Sequence, residues 1–215
     1  MFKKEEGFFL ACLVGASITT ALCIMKIRSG QIEMADAGHS YRLPAGTTSS
    51  EILASTRNLC GKKDAPATVV EFADYQCPPC KRVHTEHKSL LARSSCDWRL
   101  VFRQYPLVRI HPYAFDAAVA AEAAAEQGKF WEMHDLLFEH SNQLASTEIL
   151  SYARSLHLDI ARFKSALKHS AKIRVAGDMD EGDHIKLEGT PTLLLCEHNG
   201  TVSPITLAQL RKRCP

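Results

Sequence analysis

The stretch VVEFADYQCPPCKRVHTEHKSLLAR, residues 69–93, carries the segment EFADYQCPPCKR at 71–82. An apolar run from Val69 to Phe72 turns through Asp74 to Gln76, presents Cys77 and Cys80, and continues with the period of a helix. A strand that delivers a Cys-x-x-Cys pair to the start of a helix leaves three chemistries open: metal binding, an inert staple, or disulfide exchange. Structural zinc commonly takes two such pairs, or one pair with two histidines. Here there is one pair, Cys196 and Cys214 have 17 residues between them, and His84 and His87 sit on the helix itself, partly facing away. A staple closing so short a loop restricts little chain entropy. Exchange is the reading that remains.

Cys77 falls at the helix N-terminus, where unpaired amides and the dipole favour a thiolate, and Lys81 and Arg82 lie in the first turns to assist. Stabilising that thiolate stabilises the reduced form and makes the disulfide more oxidising. Pro78 and Pro79 lack an N–H, which costs little in a first helical turn. Cys80, one turn inward, is the resolving partner. A second signal is Glu188-Gly189-Thr190-Pro191-Thr192, immediately before a strand. A cis peptide between Thr190 and Pro191 accounts for proline at that point and leaves the backbone of Thr190 open to pair with an extended substrate.

The other elements follow from period and punctuation. Strands are predicted at Ala67–Ala73, Arg99–Gln104, Thr192–Cys196 and Val202–Ile205, the last two joined through His198-Asn199-Gly200. Helices are predicted at Pro78–Arg93, Tyr113–Glu126, Lys129–His140, Thr147–His157, Ile160–His169, Ile173–Leu187 and Thr206–Cys214, with Ser146 and Asp159 as N-caps and Gly177 and Gly182 weakening the sixth. A short helix is expected near Ser50–Thr56. The boundaries implied are 59–110 and 187–215 for the two parts of an α/β domain and 111–186 for a helical insertion. None of the ten histidines has a metal-ligand partner at persuasive spacing, and His134 and His140 read as ordinary helix residues.

At 215 residues, 46% hydrophobic and 23% charged, the chain is long enough for one medium domain with a real core. A formal net charge of +2, with one short basic cluster at Arg211, Lys212 and Arg213, argues against nucleic acid as a partner. Phe8 to Met25 is uncharged and flanked by Lys4 and Lys26. As a helix it measures about 27 Å, close to a bilayer core. The expected arrangement is therefore a short N-terminus at 1–7, a transmembrane anchor at 8–27 and a Gly/Ser/Thr-rich tether at 28–58. Cleavage near Ala37, after Ala35-Asp36-Ala37, is the alternative.

The phrases DAPATVVEFADYQCPPCKR, HPYAFDAAVAAEAAAEQGKFWEMHDLLF and LEGTPTLLL together resemble the DsbA-like thiol:disulfide oxidoreductases of the thioredoxin superfamily, over about Leu59 to Arg211. The resemblance implies a thioredoxin fold interrupted by an all-helical domain, Cys77 as exposed nucleophile, Cys80 as its partner and a cis Pro191 facing Cys77. Glu71 matches a position where relatives carry a buried acid that moves protons to and from the inner cysteine. An acid on an otherwise apolar strand is compatible with that role, the alternative being an edge-facing side chain. Two departures bear on direction: the dipeptide between the cysteines is Pro-Pro, without the histidine of strongly oxidising relatives, and Thr190 before the proline is also found in relatives that reduce or isomerise.

The fold so implied gathers Cys60, Cys96, Cys196 and Cys214 at the sheet end opposite the active site. Structural disulfides there suit an oxidising compartment. Of three possible pairings, Cys60–Cys96 with Cys196–Cys214 is favoured over the others and over four free thiols. The overall expectation is a membrane-tethered enzyme of a bacterial inner membrane, its catalytic domain in the periplasm or another extracytoplasmic space. It would oxidise exported proteins with free thiols, be regenerated by a membrane redox partner, and need neither metal nor cofactor. The alternatives are an isomerase or reductase on the same fold, and a thiol-based Cu(I) carrier or chaperone.

Overall fold

In the computed structural model, which describes residues 41–93 and 95–215, the elements follow one another as α1 (Ser49–Leu53), β1 (Leu59–Cys60), β2 (Ala67–Ala73), α2 (Pro78–Leu91), β3 (Trp98–Gln104), α3 (Ala114–Ala125), α4 (Phe130–Glu139), α5 (Ser146–Ser155), α6 (Ile160–Lys168), α7 (Ser170–His184), β4 (Thr192–Glu197), β5 (Val202–Pro204) and α8 (Leu207–Lys212). The run ATVVEFA is strand β2 because β-branched and aromatic residues fit a pleated surface, and it is buried at every position. That is the pattern of a strand covered on both faces. It lies at the centre of a sheet ordered β1-β3-β2-β4-β5. The β2–β3 pair is parallel, with Val70 opposite Val101; β2–β4 is antiparallel, with Val70 opposite Leu194.

Alternation along β2 divides the core. Ala67 and Val69 face α2 and α8 with Leu90, Trp98 and Leu210. Val70 and Phe72 face the opposite way, against Ile52, Ile185 and Leu194. Glu71 therefore shares the α2 side of the sheet. The helices between β3 and β4 build a third cluster that reaches Ala73, Tyr75, Cys77 and Cys80, so the helical insertion closes over the reactive end of the sheet. Its centre is α3, in which Ala117, Ala118, Ala120, Ala121, Ala123 and Ala124 are all buried. A helix that is apolar all round is surrounded, and methyl-sized side chains let its neighbours approach closely. Gly182 serves the same end on α7: a Cβ there would lie 2.5 Å from the Tyr105 ring.

Several expectations need correction. The part of the expected tether that is described, residues 41–58, is built into the domain: the Tyr41 hydroxyl donates to the Ile185 carbonyl and Ile52 is fully buried. Arg57 pairs with Glu122 at 3.3 Å and with Asp178 at 2.7 Å. Leu59–Cys60 forms an edge strand antiparallel to β3, too short to show a period. The cysteine pairing also differs. The disulfide is Cys96–Cys214, while Cys60 and Cys196 are thiols. Cys60 stands opposite Leu100. That places it roughly 13 Å of extended chain from Cys96, beyond the reach of a disulfide. Cys196 packs with Val70 and Phe72, on the face of the sheet away from Cys214. The predicted membrane span 8–27, like residues 1–7 and the start of the tether, lies outside the described residues. Among the described residues no helix is long and apolar enough to cross a membrane.

Two consequences are measurable. Alkylation of the unfolded, unreduced protein followed by peptide mapping should label Cys60 and Cys196 and spare Cys96 and Cys214; removing the disulfide with Cys96→Ala should cost about 2–5 kcal/mol in urea unfolding. Asp178→Ala strips the fully buried Arg103 of its 3.0 Å carboxylate partner. Arg103 keeps Glu181 at 3.6 Å as a weaker partner, so breaking the closer pair should cost about 3 kcal/mol in the same assay, the low end for a broken buried ion pair.

Candidate active site

Strand β2 ends at Ala73, and the next residue decides where the cysteines go. Asp74 is buried, and its Oδ1 accepts from the Gln76 N–H at 2.6 Å, an Asx turn that reverses the chain. Its other oxygen accepts from the Leu107 N–H at 2.7 Å and lies 2.8 Å from His111 Nδ1. The Asp74 carbonyl takes the Cys77 N–H at 3.1 Å. One carboxylate thus joins the end of β2, the reactive turn and the segment after β3. Gln76 adds to this by accepting from the Tyr113 N–H at 2.6 Å. Val108, Ile110 and Tyr113, on the segment so anchored, are large apolar side chains left exposed.

Cys77 is the N-cap of α2, in extended conformation, followed by Pro78 and Pro79 in the first helical turn. It is not the exposed nucleophile expected: the residue is 5% exposed, covered at the mouth of the helix. The peptide between Thr190 and Pro191 is cis, and Cys77 Sγ lies 3.4 Å from the Thr190 carbonyl oxygen. The loop before β4 therefore faces the sulfur. The Cys77 thiol is lowered to about 6, chiefly because Cys80 hydrogen-bonds to it. The Thr190 side chain and the Cys80 backbone N–H add to this, while burial and the Asp74 charge oppose it. Lys81 does not take the expected part: its ammonium donates to the Glu139 carbonyl at 2.9 Å, capping the C-terminal end of α4. Cys80 is completely buried, and burial followed by its bond to Cys77 pushes it well above the ordinary thiol value, with Glu71 contributing. The two sulfurs are thus differentiated: one ionises near neutrality and the other stays protonated.

Glu71 lies in the interior, 2% exposed, with Oε2 3.0 Å from His87 Nδ1 and Oε1 without a hydrogen-bond partner. It is not an edge-facing side chain. His87, expected to face partly away, is buried beside it. The structure also assembles groups that sequence spacing could not bring together. His134 of α4 is buried, its Nδ1 3.0 Å from the Tyr75 hydroxyl and its Nε2 3.1 Å from His84 Nδ1 on α2. Burial lowers both imidazoles below the usual histidine value. Asp74 could have been found from its position between a strand and a turn; the histidine cluster left no such signal. Cys60 and Cys196 are remote from the Cys77–Thr190 contact and do not join it.

Comparison with known proteins agrees with this geometry. The family model described as Thioredoxin matches residues 54–213. A Na(+)/H(+) antiporter NhaA 3 of Salinispora tropica is 46% identical over 136 residues, which is 63% of this chain and 21% of that protein. For NhaA 1 of Mycolicibacterium gilvum the figures are 43% over 138 residues, 63% and 22%. The chain thus matches about a fifth of the length of these curated relatives. Among solved structures, a thioredoxin-like oxidoreductase from Silicibacter pomeroyi superposes with a TM-score of 0.64 at 27% identity, covering 76% of this chain and 94% of that one. BdbD from Bacillus subtilis gives 0.58 at 23%, covering 75% and 94%. DsbA2 from Pseudomonas aeruginosa gives 0.59 at 24%, covering 74% and 92%. The cysteine-capped helix, the cis-proline loop and a family match spanning most of the described residues lead to one conclusion: the chain belongs to the thioredoxin family, in the DsbA-like form of the fold that carries helices between β3 and β4.

Proposed function

We propose that this protein oxidises dithiols in exported proteins by thiol–disulfide exchange through Cys77 and Cys80. The observation that carries the reading is the differentiated pair: Cys77 near 6 at the mouth of α2, against a cis-proline loop, with Cys80 protonated behind it. A substrate thiolate attacks Cys77 Sγ of the oxidised pair, the Cys77–Cys80 bond breaks, and Cys80 leaves and takes up a proton. The substrate's second thiolate then attacks the substrate sulfur of the mixed disulfide and releases the Cys77 thiolate. Two electrons have passed to the enzyme, and a membrane redox partner must remove them. Because an acidic Cys77 stabilises the reduced form, the pair favours taking electrons over giving them.

The surroundings support a chain as substrate. The Thr190 backbone beside Cys77 suits pairing with an extended segment, and the exposed Val108, Ile110 and Tyr113 offer apolar contact of the kind an unfolded polypeptide provides. Glu71, whose charge acts on Cys80, is the group we assign to relaying the Cys80 proton. An extracytoplasmic setting, with residues 8–27 as anchor, is favoured by the Cys96–Cys214 disulfide, since such bonds persist in oxidising compartments. The antiport in the curated relatives' names is not part of the reading, because the match occupies about a fifth of their length.

Cys77 alkylation should follow a single ionisation near pH 6, where an ordinary thiol would titrate at about 8.5. Since the folded Cys77 value lies below the unfolded one, its contribution to the reduced protein's stability is lost as pH falls through 6; the Tm of the reduced form relative to the oxidised form should therefore fall as pH is lowered from about 8 to about 5, below the range where the raised Cys80 acts in the opposite sense. The reduction potential of the pair should lie above the roughly −270 mV of thioredoxin. A value at or below that figure would replace the oxidase direction by a reductase one. Cys80→Ser should trap mixed disulfides with cellular proteins through Cys77, and recovering none would remove the protein-substrate role. Glu71→Gln should slow exchange tenfold or more while leaving the Cys77 titration in place.

A further inference from the structure

Behind the cysteine pair, α2 and α4 enclose a cavity of about 290 Å³. Four of the groups lining it are His84, His134, Asp135 and His87, and Glu71, Cys60 and Lys88 complete the polar part of its wall. One donor atom each from His84, His134 and Asp135 lies within 4.8 Å of the others. His134 Nε2 is 3.1 Å from His84 Nδ1, and Asp135 Oδ1 is 3.5 Å from His84 Nε2, the ring's other nitrogen, so one His84 nitrogen is free to ligate while the other keeps its neighbour. A second observation is independent of this cluster. His87 and Glu71 are each 2% exposed, and each leaves one polar atom, His87 Nε2 and Glu71 Oε1, without a hydrogen-bond partner. Unpartnered buried polar atoms are costly, and two on one cavity wall mark a place where something polar belongs.

From these observations we infer a metal site: His84, His134 and Asp135 bind one Zn2+ ion, with an open coordination position turned to the cavity. Two imidazoles and a carboxylate suit zinc and its transition-metal neighbours, whereas Ca2+ and Mg2+ prefer oxygen throughout. Three protein ligands with the fourth position left to water is the arrangement of an open zinc site. A tetrahedral ion with bonds of ~2.0–2.1 Å holds its donors about 3.4 Å apart. The set spans up to 4.8 Å, so its widest pair must close in before the ion is held. Asp135, with a side chain 39% exposed against 14% for His84, is the ligand with room to do so.

The groups around the ligands are those such a site uses. The Tyr75 hydroxyl holds His134 Nδ1 at 3.0 Å, which leaves Nε2 for the ion. The His84 ring is stacked on Phe138 with centroids 4.8 Å apart, fixing its plane. Water on the open position would stand in the cavity that His87 and Glu71 also line. Asp135 already holds a cation, Lys88 Nζ at 2.6 Å, and that lysine side chain is 65% exposed. It can swing into solvent when the ion arrives, so the rival is a weak one. None of the ligands belongs to the cysteine pair, and the site stands whether or not Cys77 and Cys80 exchange disulfides.

The test uses the full chain carrying Cys77→Ser and Cys80→Ser, which removes the pair as a rival ligand, titrated calorimetrically with ZnCl2. The expected result is one Zn2+ per chain, weakened tenfold or more by His84→Gln and likewise by Asp135→Asn, both at the less buried ligands where folding should be unaffected. Lys88→Met should tighten binding several-fold by removing the competing cation, a change that a merely structural role for the cluster would not produce. Failure of the double-serine protein to bind Zn2+, or His84→Gln and Asp135→Asn variants that titrate like their parent, would overturn the assignment.

Discussion

One buried carboxylate holds the working part of this molecule in register. Asp74 accepts from the Gln76 and Leu107 amides and lies against His111, so the end of β2, the reactive turn and the segment beyond β3 converge on two oxygens. A buried carboxylate is tolerated only where hydrogen bonds replace its water, and these contacts do that. The arrangement has an opposing effect on the chemistry, because the negative charge of Asp74 pushes the Cys77 thiol up. The bonds to Cys77 from Cys80 and Thr190 outweigh it. Positioning and activation of the sulfur are thus separate tasks, carried by different groups that pull its acidity in opposite directions.

The contrast between the two cysteines comes from depth more than from residue type. Both are thiols on one helix, three positions apart. At the N-cap, Cys77 meets a helix terminus and the proline loop, while Cys80 meets the interior, Glu71 and its own partner. Desolvation penalises the ionised form of both, so the inner thiol keeps its proton, while the outer one sheds its own because the hydrogen bond from Cys80 outweighs that penalty. The same logic extends to the cavity beneath, where Glu71, His87 and His134 are all buried and polar. The region behind the cysteines is therefore a pocket in which buried polar groups sit among Leu91, Leu100 and Trp131.

The helical insertion is fastened to the sheet by charge as well as by apolar packing. Glu122 sits fully buried in the alanine helix α3 and receives Arg57 at 3.3 Å and Asn58 Nδ2 at 2.6 Å. Asp178 of α7 takes Arg103 from β3 and the Gln104 amide. Buried ion pairs of this kind contribute little net stability relative to apolar residues, but they tolerate no misalignment. Their effect is to fix how the helices, β3 and the segment before β1 meet. That meeting line also sets where α4, with His134, stands over α2.

Much of the site was legible because it is local. A seven-residue apolar strand, a turn, two cysteines at i and i+3, and a proline-capped helix form one continuous stretch, and the boundaries of β2 and α2 follow from its period and punctuation. The same holds for Thr190-Pro191 ahead of β4 and for α6, which Asp159 caps as expected, whereas Ser146 is the first residue of α5 and Ala145 its cap. What the chain could not show by itself depends on residues far apart in sequence. The Cys96–Cys214 bond spans 118 positions, and nothing local distinguishes it from the other pairings. Residues 41–58 lack a long apolar period, yet they are ordered by Arg57 and Ile52 reaching partners across the fold. His84 and Asp135 are close only because α2 and α4 cross, which no spacing encodes. Composition and period determined the elements and the exchange chemistry; packing decided which distant side chains became neighbours, because proximity across elements is a property of the folded surface and not of the chain.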